Sequence, residues 1–333
     1  MKTVIGWMFV FVGLLNVTFA SADGARVERR LENLRMVNYY RADAGWGFFW
    51  QRWDDKKVNE DFGRLHKLGF NTVRVFLQPA EIGFPSVSDL SAEKIKKLFA
   101  IAKRNGLKVQ LTLFDLWGDF DKIDDSKEWV RQLTRIINHP DEIAYIDIKN
   151  EINVSDSKAQ RWVMEVLPYT KHAFGSVPVT FSLVVGVTRP IDTLIKSALD
   201  AKIAPDLWDV HYYMSPQKLP EVISVIRSEI NDTPLFFGEV GGSSIGASNV
   251  SLSDVDCSVN GNKQAQYVTD IEKALRKERL PYGGVWVYSD FYPSAIPGNL
   301  GVSRKPAEYC FGLFFSNGDE KPLAAAMHDI FSK

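Results

Sequence analysis

Cysteine is nearly missing from this chain, with two among 333 residues, Cys257 and Cys310. So small a number rules out a disulfide-dense scaffold and leaves either one bridge or two separate thiols, the bridge being expected in an oxidising compartment. Histidine is almost as sparse. His66, His139, His172, His211 and His328 stand singly with no H-x-H pair, so the clustered ligands of a metal-dependent hydrolase are absent and no metal or other cofactor is expected. Neither sign of charge dominates: the net charge is -1, acids and bases are interspersed, and there is no basic stripe or long acidic tail. That pattern excludes nucleic acid as a partner. Beyond the first fifteen residues there is no apolar run long enough to cross a bilayer, so no stable membrane association is expected. Linkers, low-complexity tracts and appended modules are lacking as well.

What the sequence does contain begins with a leader. Lys2 precedes an apolar run from Val4 to Leu15, and Ala20-Ser21-Ala22 gives the small-x-small pattern of a cleavage site. Residues 1–22 therefore read as a secretory signal peptide and 23–333 as the mature, secreted chain; an uncleaved anchor is the rival reading, but the run is short for a span. Nine Trp and eleven Tyr supply aromatic faces of the kind on which sugar rings stack.

From Arg35 onward, short apolar runs alternate with longer amphipathic ones, the pattern of parallel α/β architecture. Strands are predicted at Arg35–Tyr40, Thr72–Leu77, Lys108–Phe114, Ile143–Ile148, Val179–Val185, Leu207–Tyr212, Leu235–Gly238 and Gly284–Tyr288. Helices fit between them, among them Val58–Leu68, stopped at Gly69, and Ser91–Asn105, with Ser91 as its cap. Eight strand-helix units in roughly 300 residues describe a single-domain (β/α)8 TIM barrel. An open doubly wound sheet is the alternative, but no Gly-rich phosphate turn follows the first strand. The long polar stretch Gly241–Asn262 follows strand seven, where loops build the active face of a barrel.

Two of these strands end in glutamate. Lys149-Asn150-Glu151-Ile152 closes strand four and Phe237-Gly238-Glu239-Val240 closes strand seven. A carboxyl pair converging on one mouth is what glycosidic cleavage requires, one group to protonate the leaving oxygen and one to attack the sugar carbon. Because neighbouring strand residues face opposite ways, Asn150 and Glu151 reach the same cleft only if the strand end twists or bulges. Arg74 is a charge inside the apolar run Val73-Arg74-Val75 and needs an anionic partner, for which Glu239 is the natural candidate.

Arg74 on strand two, Asn150-Glu151 on strand four, His211-Tyr212-Tyr213 on strand six, Glu239 on strand seven and Trp286 on strand eight resemble glycoside hydrolase family 5, the cellulase and mannanase family. The resemblance spans nearly the whole mature chain. It implies retaining hydrolysis, with Glu239 as nucleophile and Glu151 as acid/base. Arg74 and a tyrosine hydroxyl, Tyr213 being the expected one, would keep Glu239 ionised. The negative charge of Glu239 would in turn make Glu151 hold its proton more tightly. Asn150 would bind the 2-hydroxyl, His211 would line the same subsite, and Trp286 would stack beneath the reacting sugar. Trp117, shortly after strand three, is similar to the tryptophan of the Asn-Asn-Trp stretch of mannanases. The pattern departs from the family where Phe114 or Asp115 takes the place of the His that ends strand three in many members, and where Ile152 replaces Pro after the strand-four Glu.

The implied activity is a secreted, monomeric, cofactor-free retaining β-glycosidase acting on an oligo- or polysaccharide, of mannan or β-glucan (cellulose) type. Two other classes were weighed. Gly242-Ser243-Ser244-Ile245-Gly246 fits the G-x-S-x-G of serine esterases, but that motif needs a sharp elbow and a downstream triad His, and here a polar loop follows and only His328 comes later. A glycan-binding barrel without catalysis is the second alternative, against which both carboxylates are present.

Overall fold

A computed structural model describes residues 18–186, 190–246 and 250–332. Its strands are β1 (Met36–Asn38), β2 (Thr72–Phe76), β3 (Lys108–Thr112), β4 (Ile143–Asp147), β5 (Val179–Thr180), β6 (Ser182–Val184), β7 (Trp208–Tyr212) and β8 (Leu235–Val240). All pairings are parallel and follow chain order, β1 to β5 in one run and β6 to β8 in another. β5 and β6 are two pieces of the predicted Val179–Val185 strand, interrupted only at Phe181. β7 and β8 therefore hold the sixth and seventh places. The predicted Gly284–Tyr288 strand is reduced to bridges, with Val285 paired in parallel to Val240 on one side and to Val37 on the other. The segment thus lies between β8 and β1.

Every residue of β2, β4, β7 and β8 is buried, as expected of parallel strands covered on both faces. Helices cover one face. Asp55–Lys67 starts where the Asp54 carboxylate accepts from the Lys56 and Lys57 amides, satisfying two of the N–H groups a helix start leaves free. Ser157–Phe174 is capped the same way by Asp156. The helix predicted from Ser91 instead runs Asp89–Arg104 with Ser88 as its cap, and Ser91 supplies the amide that Ser88 accepts. Between helices and sheet lies an aromatic layer in which Phe114 meets Trp129 at 4.7 Å and Trp162 at 5.0 Å between centroids.

The other face is polar. Asn38, Arg74, Thr112, Asp147 and Asp209 are fully buried there and bonded to one another or to buried neighbours, as burial of polar groups requires, whereas the buried Gln110 amide has no hydrogen-bond partner among the described residues. At the amino ends of the strands, Val27 and Leu31 of the helix Thr18–Leu31 pack with Met36, Tyr145, Leu207 and Phe236, and Arg30 donates to the carbonyls of Pro140, Ile143 and Ser176. Near that same end the last helix, Pro322–Phe331, sets Phe331 against Phe70 (5.0 Å) and under Arg35 (5.6 Å). The apolar leader falls on residues 1–17, outside the described residues. Among the described residues no helix is long and apolar enough to cross a membrane.

Candidate active site

Two backbone irregularities aim the glutamates. β4 stops at Asp147, and beyond it the chain turns so that Glu151 takes φ 47°, a left-handed conformation that costs a non-glycine residue of order 1–3 kcal/mol. The Glu151 amide is fixed there by Ser182 Oγ at 2.9 Å. This turn is the irregularity the strand alternation called for, and it brings Asn150 and Glu151 to one side. In β8 the strand runs on through Glu239 to Val240 instead of ending at Gly238. Its register against β7 shifts between Asp209 and His211, so that His211 pairs with Glu239. The shift is built on Gly238. Its N–H donates to Asp209 Oδ1 at 2.9 Å, and a Cβ at this position would lie 2.1 Å from that oxygen.

Glu239 is buried (4 % exposed). One carboxylate oxygen accepts from Arg74 Nη1 and the other from the Tyr213 hydroxyl. Arg74 is fully buried and uses all five of its N–H groups. Besides Glu239 they reach Thr112 Oγ1 (2.9 Å), Asn38 Oδ1 (2.9 Å), Asp147 Oδ2 (3.0 Å) and Asn150 Oδ1 (2.9 Å). The planar fork therefore fixes four strands relative to one another as well as the nucleophile candidate. Burial opposes the charge on Arg74, but Glu239 and Asp147 outweigh it and hold the proton more firmly than usual. Burial and then the charges of Glu239 and Glu151 push the Tyr213 hydroxyl well up, so it stays a hydrogen-bond donor.

Glu151 differs. Its side chain is 35 % exposed, and its Oε1 lies 3.0 Å from Nδ1 of the buried His211, which is also 3.4 Å from Glu239 Oε1. A nitrogen between two carboxylates acts as a donor. Burial raises the Glu151 carboxyl, but the His211 hydrogen bond and the charges of His211, Arg74 and Lys149 prevail and set it below the ordinary glutamate value. For His211, burial lowers the imidazole, and Glu239 and Glu151 more than reverse it. The expectation that Glu239 makes Glu151 hold its proton more tightly is thus corrected. His211 Nδ1 stands between the two acids, and its hydrogen bond and charge outweigh the burial that would raise the Glu151 carboxyl.

Trp286 is buried against Trp46, Tyr40 and Phe76, with centroids at 5.7, 6.3 and 6.0 Å. Tyr40 and Phe76 stack on each other at 5.0 Å, and Arg74 lies over Phe76 at 4.4 Å, which places this aromatic group beside the Arg74–Glu239 pair. Trp117 packs instead on Phe84 (4.3 Å) and Phe114 (5.9 Å) and takes no part in the bonds around the glutamates. Cys257 and Cys310 are disulfide-bonded. The bridge joins the stretch after β8 to the segment Pro306–Cys310, whose neighbour Phe311 meets the Tyr213 ring at 6.1 Å. Ser244 of the esterase-like motif is fully buried, donates to the Cys257 carbonyl and accepts from Lys321 Nζ. It is bound into a structural network with Asp290 and exposes no hydroxyl to a substrate.

Sequence reasoning missed Asp147, Asp209 and Ser182. The only available signal was that they are polar residues inside apolar strand runs. It also missed Glu308, a partly buried carboxyl raised by burial, then opposed by Lys305, with Glu239 and Glu151 adding to the rise. Its loop position left no periodic pattern to read.

One oxygen each of Glu151 and Glu239 and a ring nitrogen of His211 lie within 4.8 Å of one another. Among the described residues this is the one group of three such side chains close enough to share a metal ion; His211 Nδ1 and Glu151 Oε1 are hydrogen-bonded to each other. Two carboxyl groups this close fit the spacing of about 5–5.5 Å needed for direct attack on a sugar carbon, and not the 6.5–9.5 Å that accommodates an intervening water.

No protein-family model and no curated protein matches the chain. Solved structures do. An exo-β-1,4-mannosidase from Opitutaceae bacterium strain TAV5 superposes with a TM-score of 0.68 at 16% identity over 89% of this chain, which spans 58% of that protein's length. A GH5_18 protein from Streptomyces cattleya in complex with Manβ1-4GlcNAc gives 0.71 at 16% identity, over 90% of this chain and 80% of the other. A β-D-glucuronidase from Dictyoglomus thermophilum gives 0.65 at 16% identity, over 90% and 50%. The chain has the α/β fold of family 5-type glycoside hydrolases.

Proposed function

We propose that the protein is a secreted retaining β-glycosidase, its strands closed into a (β/α)8 barrel through Val285, acting on β-linked glycans of the mannan or β-glucan type. The observation that carries this reading is the unequal treatment of two carboxyl groups within 4.8 Å. Glu239 is buried, immobilised by Arg74 and Tyr213, and suited to attack. Glu151 is partly exposed, bonded to an imidazole, and suited to exchange protons. The mannosidase and the Manβ1-4GlcNAc complex among the structural neighbours favour a β-linked mannose.

In the first step a Glu239 oxygen bonds to the anomeric carbon as the bond to the leaving oxygen breaks, and Glu151 gives that oxygen a proton. In the free protein Glu151 is hydrogen-bonded to His211, and the approaching leaving oxygen takes the place of that contact when it receives the proton. In the second step Glu151 removes a proton from water, the water oxygen displaces Glu239, and the configuration is retained. Asn150, oriented by Arg74, faces the sugar hydroxyl beside the bond being broken, and Trp286 supplies the apolar floor.

The test is turnover of mannan, cellulose, mixed-linkage glucan and aryl β-glycosides, with Glu239→Ala as control. The variant should lose several orders of magnitude in kcat, and azide should restore turnover of an activated aryl glycoside with an inverted product. Unchanged turnover by Glu239→Ala would remove the nucleophile assignment. Glu151→Ala should lose about 10²–10⁴-fold on substrates with poor leaving groups and far less on activated ones; equal losses on both would refute its acid role. Secretion predicts a mature amino terminus at Asp23, read by mass spectrometry of the exported protein.

A further inference from the structure

One buried ion pair lies outside the carboxyl chemistry yet reaches toward it. Lys321 stands at the start of the final helix, Pro322–Phe331, and is 1 % exposed, as is Asp290, which follows the Gly284–Tyr288 segment. The ammonium donates to the two Asp290 oxygens at 2.9 and 3.0 Å, to Ser244 Oγ at 2.8 Å and to the Cys310 carbonyl at 3.1 Å. Asp290 Oδ1 also accepts from the Gly312 amide at 2.7 Å. Taking two charges this far out of water cancels much of their attraction, so the pair is weak ground for stability and calls for another use.

That use follows from where the bonds fall. Lys321 holds the carbonyl of Cys310 and Asp290 holds the amide of Gly312, so the pair grips the backbone on both sides of Phe311. Further bonds fix the same stretch: the Ser244 amide donates to the Cys310 carbonyl at 3.0 Å, the Val287 amide to the Phe311 carbonyl at 3.4 Å, and Gln264 Nε2 to the Gly312 carbonyl at 3.3 Å. The stretch has little slack. A Cβ on Gly312 would lie 2.1 Å from the Asp290 amide nitrogen, and one on Gly241 would lie 3.2 Å from the Phe311 ring. The ring so held meets that of Tyr213 edge-on at 6.1 Å, and the Tyr213 hydroxyl donates to Glu239.

We propose that Lys321 and Asp290 are positioning residues for Glu239, a role that rests on the glycosidase reading above: they fix the Phe311 ring, which fixes Tyr213 and, through its hydroxyl, the carboxylate. Neither residue takes part in the bonds around the glutamates. An apolar pair of the same size would fill the space but would lack the directional bonds to Cys310 and Gly312 that give this stretch a single placement.

The experiment compares wild type with Lys321→Met/Asp290→Asn, which removes both charges together and keeps an acceptor for the Gly312 amide. Phe311→Leu, which cuts the ring contact and leaves the ion pair intact, runs beside it. Each is also combined with Tyr213→Phe in a double-mutant cycle, and melting curves show which variants keep the wild-type fold. In folded variants kcat on aryl β-mannosides and β-glucosides should fall by about 10- to 100-fold, the scale of a displacement of about 1 Å, with KM close to that of wild type. In the Tyr213→Phe background the fall should nearly vanish. An equal fall in both backgrounds would overturn the positioning role, as would an unchanged kcat. Should the neutral pair not fold, the same cycle with Phe311→Leu decides, because the effect must pass through that ring. His211 supplies a readout independent of turnover: the Glu239 charge helps hold the imidazole proton, so the midpoint of its titration, followed by nuclear magnetic resonance, should move down in the variants. If wild type turns over no glycoside, the glycosidase reading fails. A shifted His211 midpoint then keeps the positioning of Glu239, and an unmoved one sinks it as well.

Discussion

Arg74 shows how far one side chain sets the site. Its five donors are all engaged, and two of its partners, Asp147 and Glu239, are buried carboxylates. Truncating it leaves both without a counter-charge, so Arg74→Ala should lose about 3–5 kcal/mol in chemical denaturation. Arg74→Lys should recover little, because an ammonium cannot reproduce the fork. Gly238→Ala should act through position instead. The new methyl collides with Asp209 Oδ1, and displacing Glu239 by about 1 Å should cost on the order of 10²-fold in kcat with intact binding, measured by steady-state kinetics beside a binding titration. The His211–Glu151 pair makes stability depend on pH. The lowered carboxyl stabilises the fold above its unfolded value near 4.5 and loses that contribution as pH falls through its folded value, while the raised imidazole stabilises it below 6.5 and loses that as pH rises through its own folded value. The stability difference between wild type and His211→Asn should therefore be largest between about pH 4.5 and 6.5, in urea titrations across a pH series. A difference that is flat with pH would mean that the two groups do not shift one another. The two glutamates and Arg74 were readable in the sequence because a charge inside or at the end of an apolar run is costly and must have a reason. The direction of the Glu151 shift was not readable. It depends on a nitrogen sixty residues away reaching 3.0 Å, and no local pattern encodes that.

Among the elements, helices and strands were legible wherever periodicity and caps agreed, as in Val58–Leu68, whose stop at Gly69 directly follows the Leu68 cap of the helix Asp55–Lys67. The weak places share a cause. β5 and β6 break at Phe181 and the Gly284–Tyr288 strand survives as bridges because neighbouring segments and tertiary bonds, not local propensity, decide hydrogen-bond register there. The disulfide operates at this scale too. It closes a loop of 53 residues, and loops of that size are worth roughly 4 kcal/mol. Melting in reductant should accordingly fall by several degrees relative to oxidised protein, and Cys257→Ser should reproduce the fall without reductant. Since the bridged segment leads into Phe311 beside Tyr213, kcat should drop in the same variant while the far-ultraviolet circular dichroism stays unchanged.

For the molecule as a whole, the parallel order of strands was visible from alternation alone, whereas the place of the last segment beside the first depends on Val285 meeting two partners that both lie more than forty residues earlier in the chain. The two ends of the strands differ in what they carry. The carboxyl ends carry the glutamates, and the amino ends are sealed by Val27 and Leu31, with Phe331 seated beside Phe70. A support or fusion partner attached after the final helix would consequently grip the molecule by its packed underside and leave the paired glutamates of the proposed site turned outward. Enzyme anchored through a carboxy-terminal tag should keep the kcat/KM it has in free solution, even toward bulky polymers, whereas coupling at random through surface lysines should shield part of the population.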